Sequence, residues 1–207
     1  MGRRLNQSLA AFRDVYRNPN LRRLQLAFAG SVAGQYAFAI AIAVYAYRHG
    51  GATAVGVMAL VRTIPSAVLA PFVSAAGDRF RQERVMLVAD VLRAVIVGVI
   101  AVVVFAGGPL VLVFALSALG PIFSTAFHPA EASLLPVLAR TPEELTAANV
   151  STATIDSVGS FVGPALGGVV LATWGVGAAL LLTIATFVWS GFLILRVKPD
   201  RSELTPR

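Results

Sequence analysis

Long apolar runs alternate with short polar stretches along the chain, and this pattern predicts membrane-spanning helices. A helix of about 20 apolar residues crosses a bilayer. Six runs are close to that length or longer: residues 24–47, 55–76, 85–106, 109–127, 145–174 and 176–195. They leave a cytoplasmic amphipathic or basic segment, 1–23, and a polar cytoplasmic tail, 196–207. We therefore expect an all-α integral membrane protein with six transmembrane helices.

Composition and charge agree with this class. Of the 207 residues, 57% are hydrophobic and 13% are charged, about half the charged share of a soluble domain. The absence of cysteine excludes disulfides and thiolate metal ligands. The net charge of +7 does not indicate a nucleic-acid partner, because the basic residues lie between apolar runs, as in the cytoplasmic loops of membrane proteins.

The distribution of basic residues predicts that both ends lie in the cytoplasm. With the N-terminus inside, fourteen Lys and Arg residues fall on the cytoplasmic side and only Arg48 falls outside. This bias favours a multi-pass protein of the inner or plasma membrane. The arginines of 1–23 alternate with apolar residues, which predicts an amphipathic helix lying on an anionic leaflet; a frayed basic tail is the alternative.

Segment 145–174 begins with a capping signal, in which Thr141 precedes Pro142 and Glu144 stands at the third helical position. Further along, glycines recur every four residues and share one helix face, which permits backbone contact with a neighbouring helix. Pro164 lies among them and should bend the helix. The motif consists of Gly159, Gly163, Pro164, Gly167 and Gly168. A flat, bent surface of this kind suits one rigid body moving against another.

The loop between the second and third spans carries an acid followed by several bases: Asp78, Arg79, Arg81 and Arg84. Asp78 can cap a helix N-terminus, and the arginines can pair with carboxylates of neighbouring helices. The loop is therefore a candidate electrostatic latch, with Glu131 as the predicted partner. The alternatives are an ordinary positive-inside loop and a solvated acid at Glu131.

Ionisable residues inside a bilayer are costly, so each one is a candidate functional residue. We predict that Asp90 and Arg93, three residues apart on one helix, form a pair. Asp156 precedes the glycine face and is a candidate proton or substrate-cation site, with Arg62 as its partner. A structural role is the alternative in each case. The candidate substrate or proton residues are Arg62, Asp90, Arg93, Asp156, Gln35 and Tyr36.

No catalytic or cofactor motif occurs. The chain lacks the phosphate-binding sequence G-x-x-x-x-G-K-S/T, the zinc motif H-E-x-x-H and the nucleophile motif G-x-S-x-G. We therefore expect neither an enzyme nor a metal or cofactor site, and proton coupling stays open.

Two of these stretches resemble signatures of the major facilitator superfamily (MFS). Asp78 and Arg79 match the core of the loop signature G-x-L-A-D-R-x-G-R-R/K, although Ser74 replaces its first glycine. The glycine motif matches every fixed position of G-x-x-x-G-P-x-x-G-G, which is associated with antiporters. Residues 126–149 resemble the corresponding stretch of the drug- and siderophore-exporter subfamilies.

The resemblance implies one half of an MFS fold, an N-terminal set of six helices built as a 3+3 inverted repeat. Pro65 and Pro71 in the second span and Pro164 in the fifth hold corresponding places in the two sets. The implied function is secondary active export of small amphipathic or cationic molecules by rocking of two halves. The implied partners are the lipid bilayer, a small-molecule substrate and a second six-helix half, which the glycine face would meet. The alternatives are a degenerate half without transport and a half that works only as a dimer.

Overall fold

The computed structural model describes residues 15–198, which form four long helices. These are α1 (Pro19–Gly77), α2 (Gln82–Phe105), α3 (Leu110–Leu138) and α4 (Pro142–Leu195). Each is long and apolar enough to cross a membrane. Most of the predicted N-terminal segment (1–14) and the end of the predicted tail (199–207) lie outside the described residues.

Helix α1 folds back on itself at Gly50 and Gly51, whose backbone angles are not helical. The Arg62 guanidinium lies 5.2 Å from the centre of the Phe38 ring. On one continuous helix these two residues would be about 36 Å apart at 1.5 Å per residue. The contact requires a hairpin, so we call its arms α1a (19–49) and α1b (52–77).

Helix α4 folds back in the same way at Gly175, which has a φ of 81°. Gly163 contacts Ala33, and Thr186 contacts Gly34, the next residue along α1a. A straight helix would hold Gly163 and Thr186 about 35 Å apart. The two arms are α4a (142–174) and α4b (176–195), and both pack against α1a.

Helix α3 extends eleven residues beyond the predicted end of the fourth span at Phe127 and continues through Pro129 and Pro136. Each proline removes one backbone donor and crowds the carbonyl four residues earlier, but the apolar side chains of this extension pack on neighbouring helices. Leu134 and Leu135 are each 1% exposed, so burial outweighs the cost of the prolines.

The predicted start of α4 is confirmed. The Thr141 hydroxyl accepts a hydrogen bond from the backbone N–H of Glu144 at 3.2 Å, and Pro142 occupies the first helical position. The Glu144 carboxylate in turn accepts a hydrogen bond from the backbone N–H of Arg140 at 2.7 Å. The two side chains satisfy donors that the helix start would otherwise leave unpaired.

Asn18 is the N-cap of α1, and its side chain also joins the starts of α1 and α4 to the end of α3. Its side-chain oxygen accepts hydrogen bonds from the backbone N–H groups of Asn20 and Leu21. Its amide nitrogen donates to the Leu138 carbonyl at 2.9 Å and to the Glu144 carboxylate at 3.4 Å. The starts of α1 and α4 and the end of α3 therefore meet at one end of the bundle.

The last described residues return to this end. The Asn20 side chain donates to the Lys198 carbonyl at 2.9 Å, and Arg23 donates to the Arg196 carbonyl at 2.8 Å. The start of α1a and the end of α4b are thus direct neighbours.

The described interior has two large apolar clusters with a polar layer between them, and a third, small cluster of Ala41, Leu171 and Ala179. One large cluster, nearer this end, includes Phe28 and Phe127, and the other large cluster includes Ile42 and Ile100. Helix α2 contributes to both, and Asp90 and Arg93 lie between its two contributions. The polar layer positions the candidate site.

Candidate functional site

Asp90 and Arg93 form the predicted ion pair, which is confirmed. Asp90 is fully buried and Arg93 is 2% exposed. The guanidinium donates to Asp90 Oδ1 and, at 2.8 Å, to Ser31 Oγ on α1a. Ser31 Oγ itself donates to Asp90 Oδ1 at 3.1 Å. Because a buried charge is costly unless it is paired and hydrogen-bonded, this network neutralises both charges.

Two aromatic rings enclose the Arg93 guanidinium. It lies 4.6 Å from the centre of the Phe127 ring and 4.7 Å from that of Phe187. Ring faces attract cations, so the rings stabilise the arginine without adding a second negative charge. Arg93 is therefore held by α1a, α2, α3 and α4b together.

Beside this pair lies a small cleft of about 40 Å³, well below the size range of small-molecule sites. Three predicted residues, Gln35, Arg62 and Arg93, contribute to its wall. Asp90 does not line it, but it neutralises Arg93. The remaining lining residues are mainly apolar: Phe38, Ile96, Val97, Gly120, Pro121, Ser124 and Phe187. The cleft has room for a few water molecules beside these polar groups.

Arg62 on α1b faces this cleft and also lines a second, more open cavity. Among the described residues its Nε has no hydrogen-bond partner, and no carboxylate lies within ion-pair distance of its guanidinium. Its described contact is with the Phe38 ring. The predicted pair with Asp156 is therefore not formed.

The helical geometry of α1a explains this difference. The helix that carries Asp156 packs on the side of α1a that presents Val32 and Tyr36, whereas Arg62 packs against Phe38. Residues 36 and 38 point about 200° apart on a helix. Asp156 and Arg62 thus lie on opposite sides of α1a. Asp156 instead lies within electrostatic range of Tyr36 and His128.

The glycine face packs against a neighbouring helix, as predicted, but the neighbour belongs to this chain. A Cβ atom added at Gly159 would lie 2.5 Å from a Val32 methyl, and one at Gly167 would lie 2.8 Å from the Ala37 Cα. The expectation that this face meets a second half is wrong, because α1a already covers it. Gly168 points into open space, and α4a stays helical through Pro164.

The loop between α1 and α2 does not form the predicted electrostatic latch with Glu131. Asp78 is the C-cap of α1, and the following helix begins after Arg81 without a side-chain cap, so Asp78 does not cap a helix N-terminus. Arg81 pairs with Glu83 at 2.6 Å. Arg79 lies in this loop and Arg84 lies in the first turn of α2, and both are exposed.

Glu131 is 2% exposed and accepts a hydrogen bond from Thr152 at 2.7 Å. Among the described residues it forms no ion pair with the loop arginines, because its carboxylate points between α3 and α4a. Thr152 also accepts a hydrogen bond from Gln25 at 3.0 Å. The latch partnership predicted for Glu131 is thus absent from this arrangement.

Sequence reasoning missed the residues that surround the ionisable ones. Ser31, Ser124 and Phe187 complete the Arg93 network. Hydroxyls within apolar runs were a usable signal, because they hydrogen-bond across membrane helices. Nothing in the local sequence separates Phe187 from a lipid-facing phenylalanine.

The apolar helices, the buried ion pair and the amphipathic cleft define a helical-bundle membrane protein. The chain belongs to the Major Facilitator Superfamily, whose family model matches residues 24–207. It is 30% identical over 169 residues to the multidrug efflux pump Tap of Mycolicibacterium fortuitum, a match that covers 76% of this chain and 41% of that protein. The chain thus matches less than half the length of this relative. No solved structure matches the chain.

Proposed function

We propose that this chain is the N-terminal six-helix half of a secondary active transporter that exports small amphipathic or cationic molecules. In this proposal α1a, α1b, α2, α3, α4a and α4b each cross the cell membrane, with both ends in the cytoplasm. The two sets of three helices form a 3+3 inverted repeat. Rocking of this half against a second half alternates access to the substrate, and proton coupling drives it without any other cofactor.

The observation that carries the proposal is the open cavity of about 270 Å³ that Arg62 lines together with Thr63, Ser66 and mainly apolar residues. Arg62 also joins it to the small cleft at the polar layer, which Gln35 and Arg93 line. A transporter needs such a site within the bilayer for a molecule that is partly apolar. The similarity to a multidrug efflux pump supports export as the direction.

A second six-helix half, from a separate chain or a second copy, has a suitable surface on α1b. Every fourth residue there is apolar and more than half exposed: Leu60, Ile64, Val68 and Phe72. Helix α4a is covered by α1a along its glycine face but exposes Phe161 and Val169. These apolar faces suit either lipid tails or a packed second half.

An efflux assay tests the proposal. The chain is expressed in cells that lack their main exporters, and accumulation of ethidium, Nile red and carboxyfluorescein is compared with that in empty-vector cells. We expect at least one dye to accumulate less and a protonophore to abolish the difference. Arg62→Gln should lose export, whereas Arg22→Gln, at an exposed arginine, should retain it.

Wild-type accumulation equal to the empty vector for all three dyes, with the chain present in the membrane, would overturn export by this chain and favour a half without transport. Crosslinking in the same membranes reports whether an active chain is a monomer or a dimer.

A further inference from the structure

An apolar groove lies between α1b and α2, close to the loop that joins them. Gly77 faces Val85 there, but the two helices hardly touch elsewhere. The groove has a volume of about 390 Å³, and apart from Arg84 its lining residues have no polar side chains. Helix α3 supplies Phe123 and Ala126 to its wall. Water therefore gains almost no hydrogen bonds from this groove.

Contacts with α3 hold both sides of the groove in place. The Ser74 hydroxyl donates a hydrogen bond to the Thr125 carbonyl at 3.1 Å, which fixes the end of α1b against α3. Met86 of α2 is fully buried in the same apolar cluster as Phe127 of α3. Closing the gap between α1b and α2 would break these contacts.

The length of the groove matches one leaflet of a bilayer. Along α2 it extends from Arg84 to Leu92, about 12 Å at 1.5 Å per residue. One leaflet contributes about 15 Å to a hydrocarbon core of about 30 Å. Because an unfilled apolar gap forfeits contacts of its lining atoms, an acyl chain of this leaflet suits the groove.

The charge beside the groove is positive. Arg84 lines the groove and is exposed, and Arg79 is exposed in the adjoining loop. Residues 78–84 carry three arginines against two acids. Arg81 is paired with Glu83, whereas neither Arg79 nor Arg84 forms an ion pair with a described carboxylate. Arginine binds phosphate oxygens in a two-point contact, and basic pockets between membrane helices bind anionic headgroups.

We infer that this groove binds an anionic phospholipid. Its phosphate meets Arg84 and Arg79, and one acyl chain lies against Val88, Leu92 and Phe123. A zwitterionic lipid binds less tightly, because its ammonium group adds a positive charge beside the arginines. None of the four α1b residues assigned to a second half lines the groove. The inference requires only that α1b and α2 lie in a membrane, and it does not depend on transport.

Native mass spectrometry of the full chain, released from detergent, tests the inference by resolving the protein with zero, one or two bound lipids. The probes are palmitoyl-oleoyl phosphatidylglycerol, phosphatidylcholine with the same chains, and glycerol 3-phosphate, which has no acyl chain. One basic residue near an anionic headgroup corresponds to roughly fivefold in affinity. We therefore expect the first phosphatidylglycerol to bind roughly fivefold or more tightly than phosphatidylcholine, and glycerol 3-phosphate not to compete.

Two pairs of variants test the arginine and the groove separately. Arg84→Gln should lose roughly fivefold in phosphatidylglycerol affinity, whereas Arg22→Gln, at an exposed arginine of α1a, should bind like the wild type. Val88→Phe places a larger side chain in the groove and should weaken lipid binding. Val102→Phe is its matched control, because Val102 is also an exposed valine of α2 but does not line the groove.

Equal affinity of the wild type for the two phospholipids, or unchanged phosphatidylglycerol affinity in Arg84→Gln, would overturn the inference. Equal affinities of Val88→Phe and Val102→Phe would also overturn it, because the headgroup would then be bound without the groove. Competition by glycerol 3-phosphate would assign the site to a free phosphate. A dimer that Val88→Phe abolishes and that excludes the lipid would assign the groove to a second copy of the chain. Efflux is measured separately, so failure of the lipid site leaves the proposed function untouched.

Discussion

The ion pair between Asp90 and Arg93 is the most deeply buried pair of charges described in the structure. Both side chains are almost inaccessible to solvent. Each charge depends on the other, since either one alone would be uncompensated in an apolar interior. Single and double substitutions can therefore distinguish the cost of an unpaired buried charge from the contribution of the pair itself.

We predict that Asp90→Ala lowers the free energy of unfolding by about 3 kcal/mol or more, because it leaves the Arg93 charge buried without a partner. The double variant Asp90→Ala/Arg93→Met should recover a large part of this loss, since no charge then remains buried. Thermal unfolding in one detergent measures both. A double variant less stable than Asp90→Ala would contradict this account.

The sequence predicts this part of the site well and the rest poorly. A spacing of three residues places Asp90 and Arg93 on one face of a single helix, so local helix geometry alone predicts that they pair. The pairing of Arg62 with Asp156 depends on which side of α1a each helix packs, and neither sequence segment contains that information. The orientation of Glu131 towards Thr152 is non-local for the same reason.

At the scale of the helices, α4a lies close to α1a along the glycine face. Three glycines, Gly159, Gly163 and Gly167, would each bring an added Cβ within 3 Å of α1a. The chain uses the motif to join its own first and fourth helices. Such packing depends on the absence of side chains at these positions.

We predict that Gly167→Ala destabilises the protein by about 1–3 kcal/mol, because its Cβ would lie 2.8 Å from the Ala37 backbone and overpack the contact. Gly168→Ala is the matched control. It adds the same methyl group where nothing lies within 4 Å, so it should be neutral or slightly stabilising. The midpoint of thermal unfolding distinguishes them, and equal midpoints would argue against the tight contact.

The two hairpins depend on glycine for another reason. Gly51 and Gly175 have positive φ values of 65° and 81°, which side chains rarely tolerate. We predict that Gly51→Ala and Gly175→Ala each cost about 1–3 kcal/mol. Gly56→Ala, within helical α1b and in open space, should not destabilise, since alanine favours a helix. If Gly51→Ala unfolds at the same temperature as Gly56→Ala, the hairpin does not require glycine.

These elements show how far the pattern of apolar residues specifies the fold. The predicted breaks at residues 48–51 and at Gly175 coincide with the hairpins, because glycine and polar residues mark the ends of apolar runs. Helix α3 continues to Leu138, beyond the apolar run that ends at Phe127, because tertiary burial of the extension favours the helix despite its prolines.

For the molecule as a whole, the distribution of basic residues predicts which loops face outward. The chain has no cysteine, so single cysteines can be labelled without prior engineering. Arg48, in the last turn of α1a, and Arg79, in the loop after α1b, are both exposed and flank α1b at its opposite ends. We predict that a membrane-impermeant maleimide labels Arg48→Cys in intact cells, whereas it labels Arg79→Cys only after permeabilisation. Labelling of Arg79→Cys but not of Arg48→Cys in intact cells would show that the chain has the opposite orientation in the membrane.

The bonds between the first and last helices have a consequence that does not depend on how the helices are counted. Asn20 touches the Lys198 backbone, and Arg23 touches that of Arg196, so both points lie on one side of any membrane the chain crosses. A path that leaves one side and returns to it makes an even number of crossings. The six segments α1a, α1b, α2, α3, α4a and α4b satisfy this parity, whereas three or five crossings do not. Removal of a single crossing would therefore separate these partners by the thickness of a bilayer.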